Sequence, residues 1–271
     1  MYDSHIHTRH SPDAETTPAE IAQAAMAAGL RGVSLTDHAD FGYIQTCDEF
    51  CERMRGMMQD AKEVNALSGG AVTALCGVEL GGAPYDPEGA RRLVETLALD
   101  VVLGSIHFVK GNGFCVSGYR ADFSAMTDVE IYNFFQTYFE LLLEVVTEAD
   151  IDVVAHLTYP IRYCNGKHRR DFDVMRCRDI LVSILERMIA RGIALEVNTS
   201  TTDELIGDLV PSREILALYR SLGGTLVTIG SDAHTAQQIA KGFALARDTL
   251  RSLGFSEYHY FKERRPIAVP L

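Results

Sequence analysis

Residues 1–18 read MYDSHIHTRHSPDAETTP, and residues 225–234 read TLVTIGSDAH. Each holds a short β-rich run ending in ionisable side chains two positions apart, His5 and His7 in one and Asp232 and His234 in the other. In a strand, residues i and i+2 point to the same side, so each pair can grip one ion. A purification tag would be a run of consecutive histidines, whereas this N-terminus is patterned.

Between these stretches, β-rich runs alternate with helical ones. The runs are YDSHIHT, GVSLTDH, AVTALCGVEL, DVVLGSIHF, VVAHL, ALEVNTS and TLVTIGSDAH. Thr17-Pro18-Ala19-Glu20 signals a helix start, with a cap, an N1 proline and a capping-box glutamate, and Gly29 ends that helix. Further helices are expected over about 46–67, from about Pro87, and over 128–149, 173–191, 212–222 and 236–253. The strands are continuous apolar runs, as when both faces are covered, so the chain reads as one α/β domain over residues 1–271. An open doubly wound sheet and a closed barrel both fit this alternation, although no Gly-x-Gly-x-x-Gly turn follows the first strand. The polar residues favour the barrel. Successive strands end in His5/His7, Asp37-His38, Glu79, His107, His156, Asn198 and Asp232/His234. In a closed parallel barrel those ends converge on one mouth, where barrel enzymes do their chemistry.

Composition narrows the function. With 271 residues the chain can bury a sizeable core, and its net charge of −12 argues against a surface for long nucleic acid. A small anionic ligand is still compatible if bound cations mask the carboxylates. The start resembles no signal peptide, and no apolar run reaches membrane-spanning length uninterrupted. Six scattered cysteines read as reduced thiols, so a cytoplasmic protein is expected. Oligomeric state is not legible.

Each candidate alone has an ordinary explanation. His107 or His156 could be a satisfied core histidine, Glu79 a rim carboxylate, and Asp37 a turn cap. Together they would cost several kcal/mol each in desolvation at one end of an apolar barrel unless cations compensated. Imidazole and carboxylate donors without cysteine suit zinc, manganese or iron. Seven or eight such side chains exceed one ion's needs, and a multinuclear site fits hydrolysis of a phosphate ester.

The pattern His5-x-His7, Thr36-Asp37-His38, Glu79, His107, His156 and Asp232-x-His234 resembles the PHP (polymerase and histidinol phosphatase) superfamily across essentially the whole chain. The resemblance implies a distorted seven-stranded (β/α)7 TIM-like barrel with up to three divalent metal ions. By position it implies one ion on His5, His7, Glu79 and Asp232, and a second on Glu79, His107 and His156. The third would sit on Asp13, His38 and His234, with Asp13 on the loop after the first strand. GSIHF, HLTYPIRY, EVNTS and YHYFKERRP resemble the monofunctional histidinol-phosphatases, which implies hydrolysis of L-histidinol phosphate, a small phosphorylated substrate. Glu79, Asp232, His234 and Arg162 are then the expected catalytic residues.

Arg162, six residues past His156, is the candidate for a forked phosphate contact, the alternative being a surface arginine paired with a rim carboxylate, and Arg120 is a weaker candidate. The run Lys167–Arg170 could attract an anion or be solvated loop charge. Asp40 and Asn198 are candidates for the cationic half of the substrate, with a supporting or helix-capping role the alternative for either. Asp37 is expected to support His38 or a bound water, and His10 to be an exposed loop residue. Three rivals stand beside this reading: a PHP-type phosphoesterase for nucleotides or short oligonucleotides, an amidohydrolase-like barrel and a non-catalytic metal scaffold. The amidohydrolase option lacks a strand-end lysine for a carbamate bridge.

Overall fold

The computed structural model describes residues 1–42, 45–111, 114–202 and 206–271. Its strands are β1 (Tyr2–Ile6), β2 (Gly32–Leu35), β3 (His38–Asp40), β4 (Thr73–Gly81), β5 (Val101–Ser105), β6 (Phe108–Gly111), β7 (Phe114–Ser117), β8 (Val153–Val154), β9 (Ala194–Asn198), β10 (Val227–Gly230), β11 (Glu257–Lys262) and β12 (Arg265–Pro270). The helices are α1 (Pro18–Ala27), α2 (Cys47–Leu67), α3 (Pro87–Thr96), α4 (Asp128–Glu148), α5 (Arg178–Arg191), α6 (Arg213–Ser221) and α7 (Phe243–Ser252).

Seven parallel strands follow one another in the order β1-β2-β4-β5-β8-β9-β10. The ring closes where Asp232 N–H donates to the His5 carbonyl and His7 N–H to the Ala233 carbonyl, both at 2.8 Å. The expected distorted (β/α)7 barrel is therefore present. Its second strand is broken at Thr36-Asp37, and β3 continues along β4 with His38 opposite Glu79 and Asp40 opposite Gly81. That pairing brings the two ligand candidates of neighbouring strands face to face.

Local signals account for the helix starts. Thr17/Glu20, Thr46/Glu49 and Thr127/Glu130 all form reciprocal capping boxes at the heads of α1, α2 and α4. Two expected helices differ. A 3-10 turn, Val174–Cys177, precedes α5 at Arg178. The 236–253 helix is a 3-10 turn, Ala236–Gln238, and then α7. Between these two pieces Ala240 has φ 61° and donates its N–H to Asp3 Oδ2 at 3.0 Å. Tertiary hydrogen bonding overrides helical propensity there. The β6–β7 hairpin was not anticipated either, and Phe108 belongs to it rather than to the fourth barrel strand.

The chain's end covers the barrel's N-terminal face. The β11–β12 hairpin stacks Tyr260 on Tyr2 with ring centroids 3.7 Å apart, and Tyr258 Oη accepts the Tyr2 N–H at 2.8 Å. Arg264 pairs with Asp150 and Asp152, just before β8. The opposite mouth is left to the ionisable strand ends. Among the described residues, no helix is long and apolar enough to cross a membrane.

Ring closure also depends on an absent side chain. A Cβ on Gly230 would lie 2.3 Å from Glu196 Oε1 and 2.6 Å from His5 Cβ. Gly230→Ala is therefore expected to destabilise the fold by about 1–3 kcal/mol through overpacking, read as a lowered Tm. An unchanged Tm would show that β9 and β1 can spread at no cost.

Candidate metal centre

Five imidazoles gather on one carboxylate. Glu79, fully buried, lies near the C-terminal end of β4. Its Oε1 is 2.7 Å from His156 Nε2 and 3.1 Å from His107 Nε2. Its Oε2 is 2.9 Å from His38 Nδ1, 3.5 Å from His5 Nε2 and 3.6 Å from His7 Nε2. Despite those neighbours, Oε2 accepts no aligned hydrogen bond among the described residues. Across the ring closure, Asp232 Oδ1 is 3.3 Å from His7 Nε2 and 3.6 Å from His5 Nε2, and the two Nε2 atoms are 3.1 Å apart. At the outer edge Asp13 spans His38 and His234, with oxygens 3.6 and 3.4 Å from their Nε2 atoms.

This packing is what a metal site needs and a hydrogen-bonded core does not. The donor sets His5/His7/Asp232, His5/Glu79/His156, His38/Glu79/His107 and His7/His38/His234 each have ligand atoms within 4.8 Å of one another. Burial alone would raise the Glu79 carboxyl, but His107, His38, His156 and His5 outweigh it and hold the group well below its usual range. For Asp232, burial is likewise outweighed, chiefly by His5, His7 and Arg162. Both therefore present anionic oxygens.

The outer nitrogens explain the orientation of the rings. His5 Nδ1 lies 2.7 Å from Glu196 Oε1, His107 Nδ1 2.8 Å from Asp40 Oδ1, and His234 Nδ1 2.9 Å from the Asp232 carbonyl. His7 Nδ1 lies 3.0 Å from Ser11 Oγ, whose hydroxyl donates to Asp37. Each of these partners is an acceptor, so each Nδ1 is the proton-bearing nitrogen, and Nε2 is the atom each ring would offer to a metal ion. Asp37 thus acts on His7 through Ser11, and also takes the Thr8 N–H and hydroxyl at 2.7 Å. It does not touch the His38 ring as expected. Asp40 has room for its carboxylate because Gly81 lacks a Cβ, which would lie 1.8 Å from Oδ1.

Two of the cluster residues hold left-handed backbone without being glycine, His156 at φ 28° and Asp232 at φ 55°. Such conformations cost about 1–3 kcal/mol each and persist where the surroundings over-determine them. His156 N–H is held by Glu196 Oε2 at 2.6 Å.

Arg162 opens a π-helical turn, Arg162–Lys167, beyond β8. Its Nη2 donates to Ser200 Oγ at 3.0 Å and Asp232 Oδ2 at 3.2 Å, and its guanidinium lies over the Tyr159 ring at 5.0 Å. Its Nε is buried without a partner among the described residues. Asn198 is fully buried, donating to Glu196 and Asp232 and accepting from Ser200, so it braces the site rather than facing open space. Arg120 is exposed on a 3-10 turn, and no described contact links it to the cluster. His10 is half-buried, not exposed: its Nε2 lies 3.2 Å from Asp60, which also takes a forked bond from Arg9. In the 167–170 run, Arg170 is structural, capping the Phe123 and Met126 carbonyls and pairing with Asp128. Sequence reading missed Glu196, Asp3 and Ser200. A charge within the apolar run of β9 was the available signal for Glu196.

A parallel barrel with a His/Asp/Glu donor cluster at its C-terminal mouth defines a class, the metal-dependent hydrolase barrels. Within it, the PHP domain profile matches residues 3–200, and the chain belongs to that family. It is 25% identical over 273 residues to the histidinol-phosphatase of Lactococcus lactis, covering 96% of this chain and 93% of that one. It is 29% identical over 246 residues to the "Probable histidinol-phosphatase" of Clostridium acetobutylicum, covering 90% of each. Its fold matches the crystal structure of the Lactococcus lactis histidinol phosphate phosphatase complexed with zinc, L-histidinol and phosphate. That match has a TM-score of 0.78, 23% identity and 98% coverage of both chains.

Proposed function

We propose that this chain hydrolyses L-histidinol phosphate to L-histidinol and phosphate. The observation that carries the reading is a buried arginine, Arg162, set against the imidazole–carboxylate cluster with a donor to spare. A guanidinium beside bound cations suits the charge of a phosphoryl group. The relatives' names and the ligands of the Lactococcus lactis structure support the choice of leaving group.

His5, His7, Glu79 and Asp232 would hold one ion, Glu79, His107 and His156 a second, and Asp13, His38 and His234 a third. Zinc, manganese and iron all suit these donors. Divalent cations there would supply Lewis acidity toward the phosphoryl oxygens and the attacking water. Arg162 would orient the phosphoryl group while Asp232 and Ser200 fix its guanidinium. Asp40, about a quarter exposed at the mouth, would receive the substrate's ammonium on the oxygen that His107 leaves free. The scattered thiols accord with a cytoplasmic setting.

Phosphate release by metal-reconstituted protein tests this. L-histidinol phosphate should be strongly preferred over nucleotides and p-nitrophenyl phosphate, and a chelator should remove the activity. Faster turnover of a nucleotide would move the protein to the phosphoesterase branch, and silence on every substrate with metals bound would favour a scaffold.

A further inference from the structure

β9 is the one barrel strand to which the resemblance assigns no ligand, yet it carries a fully buried carboxylate, Glu196. Three donors converge on it. Oε1 faces His5 Nδ1 at 2.7 Å, and Oε2 accepts the His156 N–H at 2.6 Å and the Asn198 amide at 3.0 Å. Its place is built from the neighbouring strand β10, because the missing Cβ of Gly230 leaves the space that Oε1 occupies.

We infer that Glu196 is the positioning residue that makes the His5 ring a ligand and couples it to His156; the inference rests on the metal reading of the cluster. An ionised carboxylate only accepts hydrogen bonds, so with Glu196 in place the His5 proton sits on Nδ1. Nε2 is then the nitrogen left to a metal ion, where it lies 3.1 Å from His7 Nε2 and 3.6 Å from Asp232 Oδ1. The second oxygen pins the backbone at His156, whose φ of 28° aims that ring at Glu79. Through Asn198, which also donates to Asp232 at 3.4 Å, the same carboxylate steadies the carboxylate ligand on β10's far end. One side chain thus arranges ligand candidates from three strands without touching the space between them.

Glutamine at 196 would keep the shape and break this logic, since an amide has one accepting end. If its oxygen faced His5, its NH2 would meet two donors, the His156 N–H and the Asn198 amide. The better arrangement gives the oxygen to those two and turns the NH2 on His5 Nδ1. His5 must then accept at Nδ1 and carry its proton on Nε2, aimed into the donor cluster, where it blocks coordination. A residue that merely glued β9 to β1 would do none of this.

The test compares zinc-reconstituted wild type and Glu196→Gln by zinc titration and by 15N NMR of labelled histidine rings. Wild type should show His5 protonated at Nδ1 with Nε2 on zinc. In Glu196→Gln the zinc affinity at this locus should fall about 10- to 100-fold, with the His5 proton moved to Nε2. Equal zinc affinity and an unchanged His5 tautomer in the folded variant would overturn the inference, leaving Glu196 a structural brace. If Glu196→Gln fails to fold, the wild-type spectrum still decides: His5 bound through Nδ1, or with Nδ1 unprotonated, overturns it. A wild type that takes up no zinc overturns the metal reading and this inference together, whereas normal zinc uptake with no phosphatase activity leaves the inference standing and removes only the proposed reaction.

Discussion

Glu79→Gln is expected to lower phosphate release by about a thousandfold while leaving the circular dichroism spectrum unchanged. The size follows from position. Glu79 belongs to two of the four donor sets, and its oxygens stand within 3.6 Å of five imidazole nitrogens. Glutamine fills the same volume, so packing around β4 should survive. It brings no negative charge, however, and its NH2 must point at imidazole lone pairs on one side. At least one ion per chain should be lost, and the several kcal/mol of charge stabilisation the ions supply go with it. The measurement is metal content by elemental analysis beside phosphate release, with chelated wild type as the reference. The variant should fall to near the chelated wild-type rate. Full metal content with more than about a tenth of wild-type activity would remove Glu79 from the centre of the site and with it the shared-carboxylate arrangement.

What could be read from the chain alone follows a physical division. Capping boxes such as Thr46/Glu49 are four-residue events, and the i, i+2 geometry of His5 and His7 is a property of any strand. The barrel followed from these because strand ends of one chemical kind must be gathered somewhere to be tolerable in an apolar fold. What was illegible depends on contacts between distant segments. Glu196 meets His5 across 191 positions, and its role comes from strand neighbours and from a Cβ missing at Gly230. For Asp40 a substrate contact and a supporting role were equally open, because its 2.8 Å bond to His107 joins positions 67 residues apart. Asp37 was expected to support His38 or a bound water, but the loop after β1 folds Thr8 and Ser11 onto it. The broken helix at 236–253 has the same origin, since Asp3 holds Ala240 from the other end of the chain. Ligand-type residues announce themselves by chemistry and spacing. The groups that aim them are ordinary buried polar residues until the fold shows what they touch.

Arg162→Lys is expected to reduce kcat/KM for L-histidinol phosphate by about 10- to 100-fold, mostly through KM. The guanidinium is held on two sides, by Ser200 and Asp232 through Nη2 and by the Tyr159 face beneath it. Burial would weaken its charge, but Asp232 and the neighbouring tyrosine hydroxyls more than restore it, so it stays a cation at any working pH. Its buried Nε has no hydrogen-bond partner among the described residues, so a substrate oxygen reaching it would meet a charge-assisted donor. Such a bond contributes about 1.5–3 kcal/mol, and a lysine ammonium can keep the charge near Asp232 but cannot offer the fork. Lost uniform binding raises KM with kcat little changed, whereas a loss confined to kcat would place the arginine's contribution in the transition state. Steady-state kinetics on Arg162→Lys, with metal content measured on the same sample, separates these cases from simple loss of Asp232 as a ligand. Unchanged metal and a raised KM fit the phosphate fork. Lost metal with KM unchanged would make Arg162 a partner of Asp232 alone, and the phosphate contact would have to come from elsewhere at the mouth.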